Sequence, residues 1–378
     1  MTHLSPSISI NGFDKHLLCL RKETTLRVGI IGTGAMSHKH AQAYRNIGYE
    51  LTVCTNTSPE KGRAFAEATG AEFVSNYEEL IRHPRVDLVD ICTLPSFRLP
   101  AVELSAKLKK HVLVEKPIAT NLETARKMME AAHSAGIQLG VVSQHRFDDS
   151  TQFLKQAIAG GRLGKIIQAD AYVKWYRSAE YYSRPIKGSW AGEGGGALIN
   201  QAIHQLDVLL NLMGPLDRVS AAWQLGAAHQ IESEDVVNAL LTYVNGATGV
   251  LQASTALWPG YPERIEIHGT KGSAIVTGDK LTRWDVQDDS GDPAPIDHAM
   301  ASGASDPMAI STLTLERQFL DFGDACATGR TPLVSAIDGY RALEAVIGIY
   351  ESCRQGRAVE IEPAAVEIEP DATRMRSR

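Results

Sequence analysis

Apolar and polar positions follow one rhythm up to about residue 147 and another beyond it. The run Leu26-Arg27-Val28-Gly29-Ile30-Ile31 is short and apolar, ends in a glycine-rich turn, and is followed by helical spacing over about 37–47. The same pattern predicts strands at 51–55, 72–74, 86–92, 112–114 and 138–143. Helices are predicted between them over 59–69, 77–82, 100–109 and 122–135, with Gly136 stopping the last. About six strands alternating with helices predict a parallel sheet joined by right-handed crossovers.

After Phe147 one helix leads to Gly160-Gly161, and longer alternating segments follow at 165–176, 236–243, 248–254 and 264–268. Period-two alternation with tight turns predicts antiparallel strands. Val244-Asn245-Gly246-Ala247 predicts a type I′ hairpin, because Asn-Gly suits positive φ at both central positions. Helices at 313–328 and 335–355 close the chain, and helices cover one face of this second sheet. The reading is an α/β protein: a doubly wound parallel sheet over 25–147, then a second α/β domain, largely antiparallel, over 148–360. Residues 1–24 read as a loose N-terminal extension and 361–378, with their Pro and Glu, as a flexible tail.

Composition narrows the partners. The 378 residues are 44% hydrophobic and 22% charged, which suits two globular domains. Lys and Arg number 38 against 44 Asp and Glu, so there is no basic excess for a nucleic-acid backbone. No apolar run approaches the roughly 18 residues of a membrane span, and the richest, Leu206 to Met213, is cut by Asp207 and Asn211. The start of the chain lacks the basic head and apolar block of a signal peptide. Cys19, Cys54, Cys92, Cys326 and Cys353 are widely spaced with no C-x-x-C pair, which predicts no metal centre and reduced, buried thiols in a cytoplasmic protein.

Gly32-Thr33-Gly34-Ala35-Met36-Ser37 reads G-x-G-x-x-S directly after the first strand. A dinucleotide-binding fold needs there a tight turn, close approach of backbone to a pyrophosphate, and a small residue where helix meets strand. Gly32, Gly34, Ala35 and Met36 are therefore candidate cofactor contacts, with amide donors from the helix N-terminus; the plain alternative is an ordinary strand-to-helix turn. The first domain thus reads as a Rossmann domain for NAD or NADP. Its second strand ends Cys54-Thr55-Asn56-Thr57-Ser58, without the acidic residue that binds both ribose hydroxyls. Asn56 can donate to a 2′-phosphate, with Thr57, Ser58, Lys61 or Arg63 completing an anion site. Alternatively, Asn56 turns the chain and bonds a ribose hydroxyl. The balance leans slightly to NADP.

Val112-Leu113-Val114-Glu115-Lys116-Pro117 puts a charged pair at the C-terminal end of a parallel strand, the edge where open α/β sheets bind ligands. Lys116 is a catalytic candidate, with Pro117 fixing the backbone after it; the alternative is a solvated lysine. Further on, Gly194-Gly195-Gly196-Ala197 precedes a helix that is apolar at Leu198, Ile199, Ala202, Ile203, Leu206, Leu209 and Leu210. Against it, Asn200, His204, Asp207 and Asn211 share one helix face. That face either meets water or lines a site, and glycines that let backbone approach a ligand closely favour the site.

Together, G-x-G-x-x-S with His40 behind it, Glu115-Lys116-Pro117, and Gly194-Gly195-Gly196 leading into His204 with Asp207 resemble the Gfo/Idh/MocA oxidoreductase family, over about residues 26–360. The resemblance implies a Rossmann domain followed by an α/β domain with a large, mostly antiparallel sheet. It implies NAD(P)-linked oxidation or reduction of sugars, cyclitols and their derivatives, and homo-dimers or homo-tetramers formed through that sheet. It also implies that Lys116 is the catalytic lysine, that His204 exchanges a proton with the reacting hydroxyl, and that Thr93 and Glu115 lie at the cofactor. The chemistry agrees, since hydride leaves carbon only as the hydroxyl proton departs; a His base suits that task, and a lysine stabilises charge developing on the oxygen. Many members carry Asp four residues before the histidine. Here Asn200 stands in that place, cannot take the proton, and is expected to orient the substrate.

Tyr172, Trp175, Tyr176, Tyr181, Tyr182 and Trp190 gather six of the chain's 24 aromatic residues within 19 positions, a set suited to the apolar face of a sugar ring. Trp175 and Tyr176 are strand neighbours that point to opposite faces, and part of the set belongs to the sheet core. Tyr181, Tyr182 and Trp190 are the expected substrate contacts. Arg146 either reaches the pocket or lies at the surface, and His145 is undecided between the same two. Thr93-Leu94-Pro95-Ser96-Phe97-Arg98 departs from the Thr-Pro-Asn and histidine of many relatives, and the extra Leu and Arg are expected to change the wall near the nicotinamide. Two readings compete with a sugar, anhydrosugar or cyclitol dehydrogenase. One is a non-catalytic cofactor-binding sensor, which the joint presence of Lys116 and His204 opposes. The other is a nucleotide-sugar dehydrogenase, which needs an anion loop that the second domain's sequence does not display.

Overall fold

The computed structural model describes residues 25–184, 186–288, 291, 294–297 and 311–361. The expected extension over 1–24, with Cys19, and the tail beyond 361 lie outside the described residues. The first sheet is built from β1 (Arg27–Ile31), α1 (Ala35–Ile47), β2 (Glu50–Thr55), α2 (Pro59–Thr69), β3 (Glu72–Val74), α3 (Tyr77–Arg82), β4 (Leu88–Ile91), α4 (Leu99–Lys107), β5 (His111–Val114), α5 (Leu122–Ala135) and β6 (Leu139–Val141). All six strands are parallel, in the order β3-β2-β1-β4-β5-β6. The order reverses between β1 and β4, so the ends of β1, β4 and β5 open on the crevice at the switch point. Val28, Ile30, Val89, Ile91, Val112 and Val114 are all buried, as strands covered on both faces must be. Asn76 and Asn121 cap α3 and α5 with their side chains, and Gly48, Gly70 and Gly136 end α1, α2 and α5 in the left-handed conformation.

The chain continues through α6 (Asp149–Ala159), β7 (Ile166–Lys174), the short helices α7 (Ala179–Tyr182) and α8 (Trp190–Glu193), and a π-helical turn at Leu198–Ala202 that runs into α9 (Ile203–Met213). Then come β8 (Leu216–Leu225), β9 (Glu234–Tyr243), β10 (Thr248–Ser254), β11 (Arg264–Gly269), β12 (Gly272–Thr277), β13 (Lys280–Val286), α10 (Leu313–Thr328), α11 (Ala336–Gln355) and β14 (Val359–Glu360). These strands form one eight-stranded sheet, β13-β12-β11-β7-β10-β9-β8-β14, antiparallel except where β10 pairs with β7. Val219, Val237, Leu241, Leu251 and Ile267 of one face are buried with Leu206 and Leu209 of α9 and Val346 and Ile349 of α11. The other face carries Asn238, Leu240 and Arg264, all exposed.

Three expectations need correction. The β9–β10 turn is not type I′, because Gly246 alone of the pair has positive φ. The side chain of Asn245 instead accepts from Ala247 N–H at 2.9 Å and donates to the carbonyl of Met213 at 3.0 Å, which anchors the loop to the end of α9. A linear division at 147/148 also misplaces α10. Leu315, Phe319, Leu320 and Phe322 pack with Val28, Tyr44, Ile47, Leu88 and Leu113 of the first domain, and Phe319 stacks on Tyr44 at 4.3 Å. An amphipathic pattern says that a helix buries one face, not which sheet receives it. Finally, Cys54, Cys92, Cys326 and Cys353 are unpaired, but only Cys54 is buried and the other three are half-buried. Among the described residues no helix is long and apolar enough to cross a membrane.

Candidate active site

Gly32 leaves β1 at φ +94°, and a Cβ there would stand 3.0 Å from the carbonyl oxygen of Cys92, so this turn requires glycine. Ser37, in place of a third glycine, turns its hydroxyl back onto the Gly32 carbonyl at 2.8 Å. Gly34 is the N-cap of α1 and offers no side chain to the helix's free amides. Nothing lies within 4 Å of where its Cβ would be, and Gly34 and Ala35 are exposed while Met36 is half-buried. The helix start is therefore uncapped and open beside Gly34, a cradle with the room and the free amide donors for a pyrophosphate. Beside Gly32, the buried hydroxyl of Thr93 has no partner among the described residues. These features fit a dinucleotide.

At the end of β2, Asn56 donates to the Thr33 hydroxyl at 2.6 Å and accepts from Ser58 N–H at 2.8 Å, tying the strand to the glycine turn. Ser58 accepts from Lys61 N–H at the start of α2, and Thr57 is exposed.

Lys116 follows β5 by two residues, and the bond to Pro117 is cis. Its Nζ donates to the main-chain carbonyl of Asn200 at 2.6 Å. Burial lowers its pKa to about 8, with Glu115 opposing. Beneath it lies a buried polar stack. Glu115 meets Nε2 of His40 at 3.0 Å with one oxygen and accepts from Lys116 N–H at 3.1 Å with the other. Nδ1 of His40 lies 2.8 Å from Asp90, which also accepts from the Tyr44 hydroxyl at 2.9 Å. Burial works against charge on His40, but Cys92 and Asp90 raise its pKa well above the ordinary value. Glu115 stays below the usual carboxylate range despite its burial, chiefly through His40. Glu115, expected at the cofactor, thus commits both carboxylate oxygens inside the protein. Arg98 is not in the wall near the nicotinamide either. Only 2% exposed, it donates to the carbonyls of Thr93, Glu115 and Pro117 and staples the end of β4 to the segment that carries Lys116.

The polar stripe that runs from the π-helical turn along α9 is half-buried apart from the buried Asp207, and each member meets a neighbouring group. Asn200 receives Lys116, and His204 meets the ring of His145 edge to face, 5.3 Å between centroids. Asp207 accepts two bonds from Arg146, at 2.6 and 2.8 Å, and Asn211 accepts from Lys155 at 2.6 Å. Arg146 is therefore neither a pocket residue of the Lys116 cleft nor a surface one. It is 4% exposed, and its remaining nitrogen reaches Asp338 of α11 at 2.9 Å. Lys116 and His204 line the same small cavity. Neither ring nitrogen of His204 has a hydrogen-bond partner among the described residues. Burial first, then Lys116 and His145, hold its pKa well below the ordinary value, so at neutral pH it is a neutral imidazole with a lone pair available, the state a general base needs.

Packing, rather than ligand approach, explains Gly195 and Gly196. A Cβ on Gly195 would stand 2.2 Å from the Tyr350 hydroxyl, and one on Gly196 would stand 1.9 Å from the carbonyl oxygen of Glu234. The buried carboxylate of Glu234 accepts from Gly196 N–H, Leu198 N–H and the Tyr350 hydroxyl at 2.7, 2.8 and 2.9 Å. It caps the start of the helix that carries Asn200 and His204, and burial raises its pKa to about 7. Asn200 sits in the π-helical turn, a widening that recurs at functional sites, and its side-chain amide donates to the Gly195 carbonyl at 3.1 Å.

Of the three aromatic candidates, Tyr181 adjoins this turn, its hydroxyl accepting from Gln201 at 3.1 Å with Lys187 over its ring. Tyr182 bonds Thr255 at 2.7 Å and packs on His229, and Trp190 packs on Trp223 and Tyr350. Both are engaged in the packing of the second domain, since closeness in sequence does not decide which wall a ring joins. Gln201 and Glu234 were not singled out by sequence reasoning as site-building groups. No spacing signal marks them, because each acts through a backbone contact or a distant partner.

Known proteins place this geometry. The sequence model of the oxidoreductase family's NAD-binding Rossmann fold matches residues 26–143, and that of the GFO/IDH/MocA C-terminal domain matches residues 151–275. The chain is 27% identical to myo-inositol 2-dehydrogenase of Thermotoga maritima, covering 89% of this chain and 99% of that one. It is 28% identical to 1,5-anhydro-D-fructose reductase of Ensifer adhaerens, covering 89% and 98%. Among solved structures, the WlbA dehydrogenase from Bordetella pertussis, in complex with NADH and UDP-GlcNAcA, superposes with a TM-score of 0.79 at 29% identity, over 89% of this chain and 99% of that one. With the glycine turn, Glu115-Lys116-Pro117 and His204 in the places described, the chain belongs to the Gfo/Idh/MocA family of NAD-binding oxidoreductases.

Proposed function

We propose that the chain oxidises a hydroxyl-bearing carbon of a sugar, anhydrosugar or cyclitol, or catalyses the reverse reduction, with NAD or NADP. The observation that carries this is the convergence on one cleft, beside an uncapped glycine turn, of the Lys116 ammonium and a His204 ring whose nitrogens have no hydrogen-bond partner among the described residues. The nicotinamide supplies the hydride acceptor or donor. His204 takes the hydroxyl proton, and Lys116 donates to the same oxygen and stabilises the charge that develops on it. Asn200 acts through its carbonyl, which aims Lys116. The cofactor is held at the Gly32–Met36 turn by the amides of Gly34, Ala35 and Met36 and by the Thr93 hydroxyl, with Asn56, Thr57 and Ser58 at the ribose end. That end carries no carboxylate at the close of β2, which supports a slight preference for NADP.

Tyr181 forms the substrate wall next to Gln201. The exposed face of the eight-stranded sheet, with Leu240 at 63% exposure, supports a homo-dimer or homo-tetramer, and the free thiols support a cytoplasmic location. A nucleotide-sugar substrate is the second reading, favoured by the likeness to UDP-GlcNAcA-bound WlbA structures at 29% and 28% identity.

The test is absorbance at 340 nm with NAD and NADP separately, against monosaccharides, anhydrosugars, inositols and UDP-sugars, with Lys116→Ala as control. Turnover with one of these classes that disappears in Lys116→Ala supports the reading. Cofactor binding with no turnover across the panel favours the sensor.

A further inference from the structure

We propose that His145, clamped by Asp148, is a positioning residue that holds His204 as a neutral proton acceptor; the inference rests on the role given to His204 above. His145 lies in the 3₁₀ turn Gln144–Phe147 between β6 and α6, and Asp148 follows at the N-cap position of α6. An aspartate at an N-cap ordinarily accepts from the first free amides of its helix. Asp148 makes no such bond. Its carboxylate, 7% exposed as a residue, turns away and meets Nδ1 of His145 at 2.8 Å. The helix forgoes its cap, and the diverted carboxylate fixes an imidazole whose plane stands at 80° to that of His204. Edge-to-face contact fixes the His204 ring while leaving its nitrogens without hydrogen-bond partners among the described residues.

The charged groups around the pair are few. Lys116, at the end of β5, faces His204, while Glu263 before β11 and Asp279 between β12 and β13 face His145 and Asp148. Burial opposes charge on His145, but Asp148 and then Glu263 and Asp279 raise its pKa to about 9. His145 therefore carries its proton through neutral pH. A cationic ring whose centroid lies 5.3 Å from that of His204 disfavours a second imidazolium there, which keeps His204 receptive until the substrate hydroxyl delivers its proton.

The experiment is an NMR titration of the cofactor-free protein labelled at histidine Cε1, with the His204 signal assigned by its loss in His204→Gln. In Asp148→Asn and in His145→Gln the His204 titration should move up by on the order of one pH unit, and in His145→Lys, which keeps a positive charge, it should stay near the wild-type value. With a substrate in hand, the acid limb of kcat/KM for oxidation should move by the same amount while KM changes little. An His204 titration unchanged in both Asp148→Asn and His145→Gln overturns the proposal. The NMR result needs no turnover, so it stands apart from the functional reading, which fails instead if His204→Ala retains full activity.

Discussion

Lys116 of the first domain donates to the main-chain carbonyl of Asn200 in the second, at 2.6 Å. That bond crosses the seam at the mouth of the crevice, and it fixes the ammonium beside His204 without using any side chain of the second domain. A change of side chain at Asn200 would therefore leave the lysine's anchor untouched, because the anchor is backbone.

Lys116→Ala is expected to lower kcat/KM at least about 100-fold, the usual effect of removing a donor to a developing oxyanion. NAD(P)H affinity, read by fluorescence titration, should change less than about threefold, since the lysine acts on the reacting oxygen. The lowered pKa of Lys116, about 8, sets a sign. The ammonium is present below that value and lost above it, so the wild type should show a basic limb near pH 8. Lys116→Arg, whose guanidinium stays charged, should be slower and lack that limb.

Asn56→Asp should shift preference towards NAD by roughly 10-fold in the ratio of kcat/KM values, because a carboxylate repels a 2′-phosphate and binds free ribose hydroxyls. The turn itself should survive. Asn56 now donates to the Thr33 hydroxyl, and an aspartate would accept from the same group. An unchanged ratio would mean that the ribose does not sit at the end of β2.

The Rossmann half was legible because its signals are local: short apolar strands, capped helices and one glycine turn. The placement of Lys116 at a strand end and of His204 on a helix face was legible because those signals are local as well. What escaped is tertiary. Spacing placed Asp207 on the right face but could not show that Arg146 would bind it from 61 residues away in sequence. Glycines at 195 and 196 announced close approach without saying whether to a ligand or to Tyr350 and Glu234, which lie far along the chain. The helix over Leu313–Thr328 displayed an apolar face that fits either sheet.

Arg146→Met is expected to destabilise the protein by about 3–5 kcal/mol, the range for removing one partner of a buried ion pair. Asp207 and Asp338 would lose the guanidinium that both now bind. Urea denaturation measures the loss, and Arg146→Met combined with Asp207→Leu should recover part of it, since no carboxylate is then left unpaired at Asp207. A substrate contact would behave differently, raising KM while leaving the denaturation midpoint in place.

Gly34 and Gly196 belong to two glycine-rich turns that look alike in sequence, and substitution by alanine should separate them. At Gly34 the backbone angles, φ −80° and ψ −173°, are open to any residue, and a methyl would meet no atom within 4 Å. Stability should therefore change by less than about 1 kcal/mol, the scale of an N-cap effect. The methyl would, however, stand in the cradle where backbone must approach a pyrophosphate, so cofactor affinity should fall at least about 10-fold. At Gly196 the methyl would stand 1.9 Å from the carbonyl oxygen of Glu234. Backbone cannot yield there without moving the start of the helix that Glu234 caps, and an overpacking cost of about 3 kcal/mol is expected. Thermal unfolding read beside a cofactor titration distinguishes the two: Gly34→Ala should keep its melting temperature and lose cofactor, whereas Gly196→Ala should lose stability first. If Gly34→Ala bound cofactor as the wild type does, the amides of α1 would not be the phosphate site.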